Sequence, residues 1–264
     1  MSYVQSILGQ DEQVLLFAKM HWVYISPQYV YRRSLSLCGS EEHHVRDVLR
    51  RKDGEKVVLC NGKGRDLTAE IIDTDGDEIR LRKLHEAETP PPGCRIVLGQ
   101  AIPKGKNMEL IVQKAVEIGA AEIAPIISDR TIVQLDSESV AQKQAKWQQT
   151  AIEAAKQCGQ NWLPLVHAPR KLAEFFSTTS GQPFDLRLIG SLQPDAEHLK
   201  SILQTYCGEH GDRPRSVLML VGPEGDFTPA ELALARRHGC PPIPLGPLLL
   251  RVATAAIRFL RVRS

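Results

Sequence analysis

The sequence contains 264 residues, of which 42% are hydrophobic and 24% are charged, and its formal net charge is +2. A chain so close to neutral cannot bind nucleic acid through a uniformly basic surface, so any RNA contact must come from a local patch. The six cysteines form no C-x-x-C pair, and no apolar run reaches the roughly 20 residues of a membrane-spanning helix. We therefore predict a cytoplasmic protein with reduced cysteines, no metal site and no membrane segment.

The N-terminal third of the chain is predicted to be a short extension followed by a small β-rich domain. Residues 1–20 show no strand or turn pattern, and Met20 is a candidate alternative start. A short helix is predicted over residues 41–50 with Ser40 as its N-cap. Residues 61–64 (Asn-Gly-Lys-Gly) predict a hairpin turn, because glycine tolerates positive φ. The predicted strands span residues 20–26, 55–60, 67–72 and 78–83. Together they indicate a small barrel over residues 21–89.

Basic residues are concentrated on one helix edge of this small domain. His44 and Arg50 lie on the predicted helix, and Arg32 precedes it. Clustered positive charge in an otherwise neutral chain favours contact with RNA phosphates. The alternative, a solvated helix face, is the more common outcome for such a pattern.

Residues 90–93 (Pro-Pro-Pro-Gly) mark the boundary to a second domain, because consecutive prolines cannot continue a strand or a helix. After this boundary, apolar strands alternate with helical patterns. That alternation predicts a parallel sheet flanked by helices, the α/β class. The predicted strands span residues 95–101, 122–127, 163–167, 185–190, 217–221 and 242–245.

Three helices of the second domain have clear end signals. The face containing Met108 and Ile111 belongs to a helix that Gly119 ends. A longer helix is predicted over residues 139–159, and the polar residues at its end either line a groove or face water. Thr228 and Glu231 form a capping box, with Pro229 at the first helical position.

Two glycine-containing loops follow strands near the C-terminus. The first, residues 222–225 (Gly-Pro-Glu-Gly), stands at the carboxyl end of a buried strand, where open α/β sheets bind ligands. The second, residues 245–247, is followed by Arg251 and Thr254. Glycines allow a ligand to approach the backbone closely, so the two loops are candidates for a cofactor pocket. For each loop taken alone, a tight turn is the favoured interpretation, and the signal of the second loop is the weaker of the two.

Lys104 and Lys106 precede a helix at the end of the first strand of the second domain. They are candidates for contact with RNA phosphates, and the alternative is a solvated helix end.

Taken together, the motifs resemble the ribosomal RNA small subunit methyltransferase E family, the uridine-N3 methyltransferases of 16S ribosomal RNA. The order and spacing of the motifs carry the resemblance over about residues 21–260. The matching segments are residues 44–50, 61–64, 104–119, 125–130, 146–147, 153–159, 221–227 and 245–256.

The resemblance implies a fold, a cofactor and partners. Residues 94–264 would form a SPOUT-type α/β domain with a C-terminal trefoil knot, and residues 21–89 a PUA-like barrel that helps to bind RNA. The cofactor would be S-adenosylmethionine (SAM), the substrate 16S rRNA in the small ribosomal subunit, and the active species a homodimer.

The resemblance also assigns residues to roles. Arg251 would stabilise negative charge on the uracil, and Glu224 would accept a proton, position the base or order the loop. The cofactor-binding residues would be Val221, Gly222, Gly225, Leu245, Gly246, Leu250 and Thr254. The RNA-binding residues would be Arg32, His44, Arg50, Lys104, Lys106 and Arg130.

Some positions depart from the family pattern. Ala253 stands where a glutamate is common, Gln160 where an arginine is frequent, and Lys106-Asn107 replaces an Asp-Lys pair. Ala253 and Gln160 favour an alternative function, an RNA-binding or ribosome-assembly factor with weakened catalysis. A methyltransferase for another RNA is a further alternative, because fold and cofactor site do not define the substrate.

Overall fold

The described residues form two β-sheets, one in each part of the chain. The computed structural model describes residues 21–24, 35–37, 40–48, 50, 52–74, 78–105, 107–131, 136–179, 184–191, 193, 196–244 and 252–260. We refer to strands β1 to β5 as the N-terminal sheet and to strands β6 to β12 as the large sheet.

The N-terminal sheet has five strands in the order β1-β3-β4-β5-β2. β1 runs parallel to β3, and the other neighbouring strands are antiparallel. Among the described residues the two edge strands do not pair, so closure into a barrel stays a prediction. The strands are β1 (His21–Tyr24), β2 (Leu35–Leu37), β3 (Lys56–Cys60), β4 (Arg65–Asp73) and β5 (Ile79–Glu88).

The predicted hairpin and helix of this region are both present, with shifted ends. Residues 61–64 join the antiparallel strands β3 and β4, and the Asn61 Oδ1 accepts hydrogen bonds from the amides of Lys63 and Arg65. The helix α1 (Ser40–His43) begins at Ser40 itself and continues as a π-helical turn (His44–Val48). β5 extends past residue 83 because its charged end pairs with β4, where Arg65 contacts Glu88 at 2.5 Å.

The large sheet is parallel throughout, as the alternation of strands and helices predicted. Its order is β12-β10-β11-β6-β7-β8, and β9 also pairs with β7. The strands are β6 (Arg95–Ala101), β7 (Glu122–Ile127), β8 (Leu165–Val166), β9 (Arg170–Lys171), β10 (Leu186–Gly190), β11 (Ser216–Val221) and β12 (Pro242–Ile243).

Helices cover both faces of the large sheet, because alternate residues of each strand point to opposite sides. Ile96 and Leu98 of β6 pack in one hydrophobic cluster with α2, α3 and α7, whereas Val97 packs in a second cluster with α4 and α6. The helices are α2 (Asn107–Ile118), α3 (Ser137–Cys158), α4 (Leu172–Thr179), α5 (Leu199–His210), α6 (Pro229–Arg237) and α7 (Val252–Leu260). The described helices include none long and apolar enough to cross a membrane.

Gly119 ends α2 as predicted, α3 begins two residues before its predicted start at residue 139, and one predicted strand is shorter than expected. Gly119 and Gly159 both have positive φ and follow the last helical residues of α2 and α3. The strand predicted over residues 163–167 is only Leu165–Val166, because the Leu163 amide donates to the Gly62 carbonyl of the N-terminal sheet. Residues 245–251 lie outside the described residues, so the knot stays a prediction.

Candidate functional site

Three loops meet at the carboxyl edge of the large sheet. They follow the neighbouring strands β11, β6 and β7, whose order in the sheet places their ends side by side. The loops comprise residues 222–227, 102–105 and 128–131. Because parallel strands all end at the same edge, this arrangement builds the crevice in which open α/β sheets bind ligands.

The loop after β11 is a tight turn with no space for a side chain at its first residue. The Asp226 amide donates to the Pro223 carbonyl at 2.9 Å, and Asp226 has φ 60. A Cβ on Gly222 would lie 3.0 Å from Asp226 Oδ1 and 3.2 Å from the Phe227 amide nitrogen. Any side chain at position 222 would therefore force Asp226 or Phe227 to shift.

The loop after β11 is tied to both of its neighbours. Glu224 Oε1 accepts a hydrogen bond from the Lys104 amide at 3.1 Å, which joins it to the loop after β6. The Arg130 guanidinium donates to the Gly225 carbonyl, which joins it to the loop after β7. Both residues of each contact were assigned to the site by the family resemblance, and the contacts join the three loops into one unit.

A buried carboxylate stabilises the base of this unit. Glu231 is only 7% exposed and completes the predicted capping box with Thr228, whose amide donates to Glu231 Oε2 at 2.8 Å. The same carboxylate accepts from the Ser128 hydroxyl and from the Asp129 amide, both at 3.1 Å. One side chain thus caps α6 and holds the loop after β7 against it.

Replacing Glu231 with alanine should lower the free energy of unfolding by about 3 kcal/mol, because the buried Ser128 hydroxyl and the Asp129 amide both lose the carboxylate that accepts their hydrogen bonds. Urea unfolding measures this change. Glu174→Ala is the matched control, since Glu174 lies in the first turn of α4 and is exposed. The control should cost less than about 1 kcal/mol. Equal losses in both variants would show that the buried contacts contribute nothing beyond an ordinary helix start.

Two buried polar side chains next to the loop after β11 have unused hydrogen-bonding capacity. Gln100 is 0% exposed and faces Val221 across the β6–β11 pair, and its Oε1 has no hydrogen-bond partner among the described residues. Ser191 is 4% exposed and follows the end of β10 on the other side of β11, and within the same part of the chain its hydroxyl has no partner either. Buried polar groups normally have partners, so these two indicate where a polar ligand would bind.

Sequence reasoning missed Gln100 and Ser191, because a single glutamine or serine at a strand end is common. The available signal was their position at the carboxyl ends of predicted strands on either side of the glycine loop. That signal requires the strand order, which the sequence pattern alone did not provide.

The structure places several of the predicted site residues together. Val221 and Gly222 are buried at the carboxyl edge, and Gly225, Lys104 and Arg130 are exposed beside them. Thr254 is exposed on α7, and Arg50, in the N-terminal part, is exposed with φ 50. His44 lies in the π-helical turn. Outside the described residues are Arg32, Lys106, Leu245, Gly246, Leu250 and Arg251.

Two family models match the chain. An RNA methyltransferase domain matches residues 90–263, and an RNA methyltransferase PUA domain matches residues 37–84. The chain belongs to the RNA methyltransferase family. The first match covers the large sheet with its three loops, and the second covers most of the N-terminal sheet.

Individual relatives agree with the family. The ribosomal RNA small subunit methyltransferase E of Synechocystis is 27% identical over 96% of this chain and 80% of its own length. A methyltransferase structure from Legionella pneumophila, solved with the bound cofactor SAM, is 32% identical, covers 92% of this chain and 96% of its own, and has a TM-score of 0.80. The ribosomal RNA small subunit methyltransferase E of Neisseria gonorrhoeae, bound to SAM, is 28% identical, with coverages of 92% and 95% and a TM-score of 0.77.

The residues at the carboxyl edge fit SAM, the cofactor of this family. SAM carries hydroxyl, amino and carboxylate groups that form hydrogen bonds. Gln100 offers an acceptor oxygen and Ser191 a hydroxyl, and neither atom has a hydrogen-bond partner among the described residues. The glycine at position 222 keeps the adjacent backbone close and free of side-chain atoms. Within the described residues, no group of three or more His, Cys, Asp or Glu side chains could hold a metal ion.

Proposed function

We propose that this protein transfers the methyl group of SAM to N3 of a uridine in 16S rRNA of the small ribosomal subunit. The observation that carries the proposal is the unit of three loops around Gly222, flanked by the unpartnered Gln100 and Ser191, in a chain of the RNA methyltransferase family. The likeness to the SAM-bound enzyme of N. gonorrhoeae over 92% of this chain supports both the cofactor and the substrate class.

The proposal includes the wider organisation of the molecule. Residues 1–20 would be an extension, residues 21–89 the PUA-like RNA-binding domain, and residues 94–264 the methyltransferase domain with its trefoil knot. The two family matches, which end and begin on either side of residues 85–89, support this division. We further propose that the protein is a homodimer and needs no metal. We also propose that it is cytoplasmic, since ribosomal RNA is modified where ribosomes are assembled.

The chemistry requires removal of a proton from the uracil ring. N3 of uridine is protonated at neutral pH and is a poor nucleophile until that proton leaves. The cofactor, when bound, supplies an electrophilic methyl group; the new bond joins this carbon to N3 as its bond to sulfur breaks. The protein therefore has to align the base, stabilise the negative charge on its carbonyl oxygens and exclude water. The base must also leave any stack or pair in the RNA.

Arg251 and Glu224 are the proposed contributors to this step. A guanidinium at Arg251 would stabilise charge on the uracil oxygens. Glu224 is exposed, and its hydrogen bond to the Lys104 amide supports the loop-ordering role most directly. Its other proposed roles, accepting the N3 proton or positioning the base, remain compatible with a carboxylate at the edge of the crevice.

Lys104 is the clearest candidate for contact with an RNA phosphate near the site, because its side chain is exposed while its amide is used to order the loops. Lys104→Ala should weaken binding of small ribosomal subunits and reduce the slope of log affinity against log salt by about 1. Titrations at several salt concentrations test this. Arg213→Ala, an exposed arginine at the opposite edge of the large sheet, should change neither quantity. An unchanged slope in Lys104→Ala would remove that residue from the RNA surface.

The proposed activity is tested by incubating the protein with labelled SAM and undermodified small ribosomal subunits, followed by mass spectrometry of the nucleosides. We expect 3-methyluridine. Methylation of another nucleoside would contradict the proposed position, and transfer only to another RNA would contradict the proposed substrate.

The second candidate function is an RNA-binding or ribosome-assembly factor with weakened catalysis, which Ala253 and Gln160 favour. Ala253 packs partly against the core of the large domain, and the Gln160 side chain accepts from the Trp162 amide at 3.4 Å. Under this alternative, the protein would bind small subunits in a fixed ratio without transferring a methyl group.

A further inference from the structure

The turn at residues 61–64 contacts the segment that follows α3. The Gly64 amide donates to the Asn161 carbonyl at 2.9 Å, and the Leu163 amide donates to the Gly62 carbonyl at 2.9 Å. Lys63 and Trp162 form an antiparallel bridge between them. We call residues 161–163 the clamp, since they pair with the N-terminal sheet as a short strand would.

The two glycines of this turn are required by the clamp as well as by the turn. Gly62 and Gly64 both have positive φ. A Cβ on Gly64 would lie 2.5 Å from a ring carbon of Trp162 and 2.6 Å from the Thr89 carbonyl oxygen. A Cβ on Gly62 would lie 2.9 Å from the Cβ of Leu163. Close approach of the two parts of the chain therefore depends on glycine at both positions.

Asn161 adds a buried side-chain contact to these backbone bonds. The residue is 3% exposed, and its Nδ2 donates to Asp66 Oδ1 at 2.8 Å and to the Thr89 hydroxyl at 3.1 Å. Burial raises the pKa of the Asp66 carboxyl, and the hydrogen bond from Asn161 partly offsets this. The buried Asn161 amide thus joins the partly buried Asp66 carboxylate and the exposed Thr89 hydroxyl in one hydrogen-bond network.

Trp162 holds the start of the connection between the two domains. Its indole nitrogen is 3.0 Å from each of the Thr89 and Pro90 carbonyl oxygens and donates to both. The connection continues through the prolines to residue 93, which are stiff in themselves. The clamp therefore holds the N-terminal sheet at the turn and at the point where β5 leaves it.

A single helix links the clamp to the site. α3 starts after the loop that follows β7, with Asp136 as its N-cap, and ends at Gly159, two residues before the clamp. Its 22 residues correspond to a length of about 33 Å. Trp22 of β1 lies against its C-terminal end, where a Cβ on Gly159 would be 3.3 Å from the indole ring.

We propose that the clamp and α3 act as a rigid spacer that holds the N-terminal sheet at a fixed distance from the methyl-transfer site, so that both bind one rRNA substrate together. This rests on the proposed function above. Asn161 and Trp162 are then positioning residues, because they act on the reaction through the placement of the N-terminal sheet and not through contact with the base.

A rigid spacer would strengthen rRNA binding because, once one surface has bound the substrate, the second surface is held near it at a high effective concentration. Two binding surfaces in a fixed arrangement that matches the substrate bind it together far more tightly than the same surfaces joined loosely. A rigid spacer also places the target uridine in the site with little loss of freedom on binding. SAM binding should need neither effect, since the proposed cofactor site lies at the carboxyl edge of the large sheet.

The test compares the full-length double variant Asn161→Ala, Trp162→Ala with the wild-type protein. We expect the KM for undermodified small subunits to rise at least about tenfold, with the dissociation constant of SAM within about twofold of wild type. We also expect a larger radius of gyration in small-angle scattering, which requires no activity. Leu165→Ala is the control in the same segment, because that side chain is exposed, and it should match wild type in all three measurements.

The outcomes separate the spacer from a general structural role and from the proposed function. An unchanged KM and radius of gyration in a folded double variant would overturn the proposal, as would a loss of SAM affinity equal to the rise in KM. Trp162→Phe keeps an aromatic side chain but loses the indole N–H that donates to Thr89 and Pro90, together with part of the ring system. It replaces the double variant if that protein does not fold. If wild-type protein methylates no uridine, the scattering measurement still tests the clamp.

Discussion

Replacing Gly222 with valine should weaken SAM binding by at least about 100-fold while the protein remains folded. A Cβ at this position would lie 3.0 Å from Asp226 Oδ1, and the Cα of Asp226 and the amide nitrogen of Phe227 are both 3.2 Å away. The two further methyl groups of valine cannot fit without displacing this backbone. Because Gln100 and Ser191 flank the same residue, the displacement would occur at the proposed cofactor site.

The size of the effect follows from the packing. Overfilling a tight site costs about 1–3 kcal/mol, and the substitution also moves the backbone that a ligand would contact. A loss near the upper end of this range corresponds to an affinity at least about 100-fold lower. Gly222→Ala should give a smaller loss, because its single methyl group lies at the limit of ordinary contact. Isothermal titration calorimetry of the two variants measures the series.

The matched control is Gly208→Val. Gly208 is exposed on α5, and no atom lies within 4 Å of the position that a Cβ would occupy. This variant should bind SAM as wild type does. Thermal unfolding identifies any variant that has lost its fold. Wild-type affinity in folded Gly222→Val would show that the loop after β11 does not form the cofactor site.

The parts of the fold that the sequence predicted well are those with local causes. β6 and β7 begin and end where their apolar runs do, and Gly119, Gly159 and the Thr228–Glu231 capping box end or start helices through contacts within a few residues. The predicted α/β class followed from the alternation of these elements. Each such signal is contained in a short window of sequence.

The features that the sequence did not predict depend on residues far apart in the chain. The glycines at residues 62 and 64 predicted a turn correctly, but their contact with Trp162 and Leu163 depends on residues about a hundred positions away. The same pairing removed residue 163 from the strand predicted over residues 163–167. The polar residues at the end of the long helix were predicted either to line a groove or to face water. Asn161, just after α3, does neither, because it is buried between the two domains.

In the candidate site, too, the sequence predicted the features with local causes and missed the contacts between residues far apart in the chain. The loop at residues 222–225 was recognisable from its glycines and its place after an apolar strand. Its ties to Lys104 and Arg130, and the second contact of Glu231 with Ser128, come from the order of β11, β6 and β7 in the sheet. The roles assigned to residues 245–251 stay predictions, because these residues lie outside the part of the chain that the structure describes.

Replacing Arg251 with alanine should reduce the rate constant of methyl transfer by about 100- to 1,000-fold while SAM binding changes little. Removal of the N3 proton places negative charge on the uracil oxygens, and loss of one donor that stabilises such charge typically costs about 3–4 kcal/mol. The effect belongs to the transfer step, since the uncharged base in the ground state gains little from the guanidinium.

Single-turnover transfer to undermodified small subunits, at saturating SAM, measures the rate constant for Arg251→Ala. Arg251→Lys is the matched control: it keeps the positive charge but loses the planar pair of donors that can hold an oxygen in a defined direction. We expect it to recover part of the lost rate, with an intermediate value if direction and charge both matter. Transfer at the wild-type rate in Arg251→Ala would exclude the guanidinium from the mechanism and leave Glu224 as the remaining proposed catalytic residue. A parallel loss of SAM affinity would instead assign Arg251 to the cofactor site.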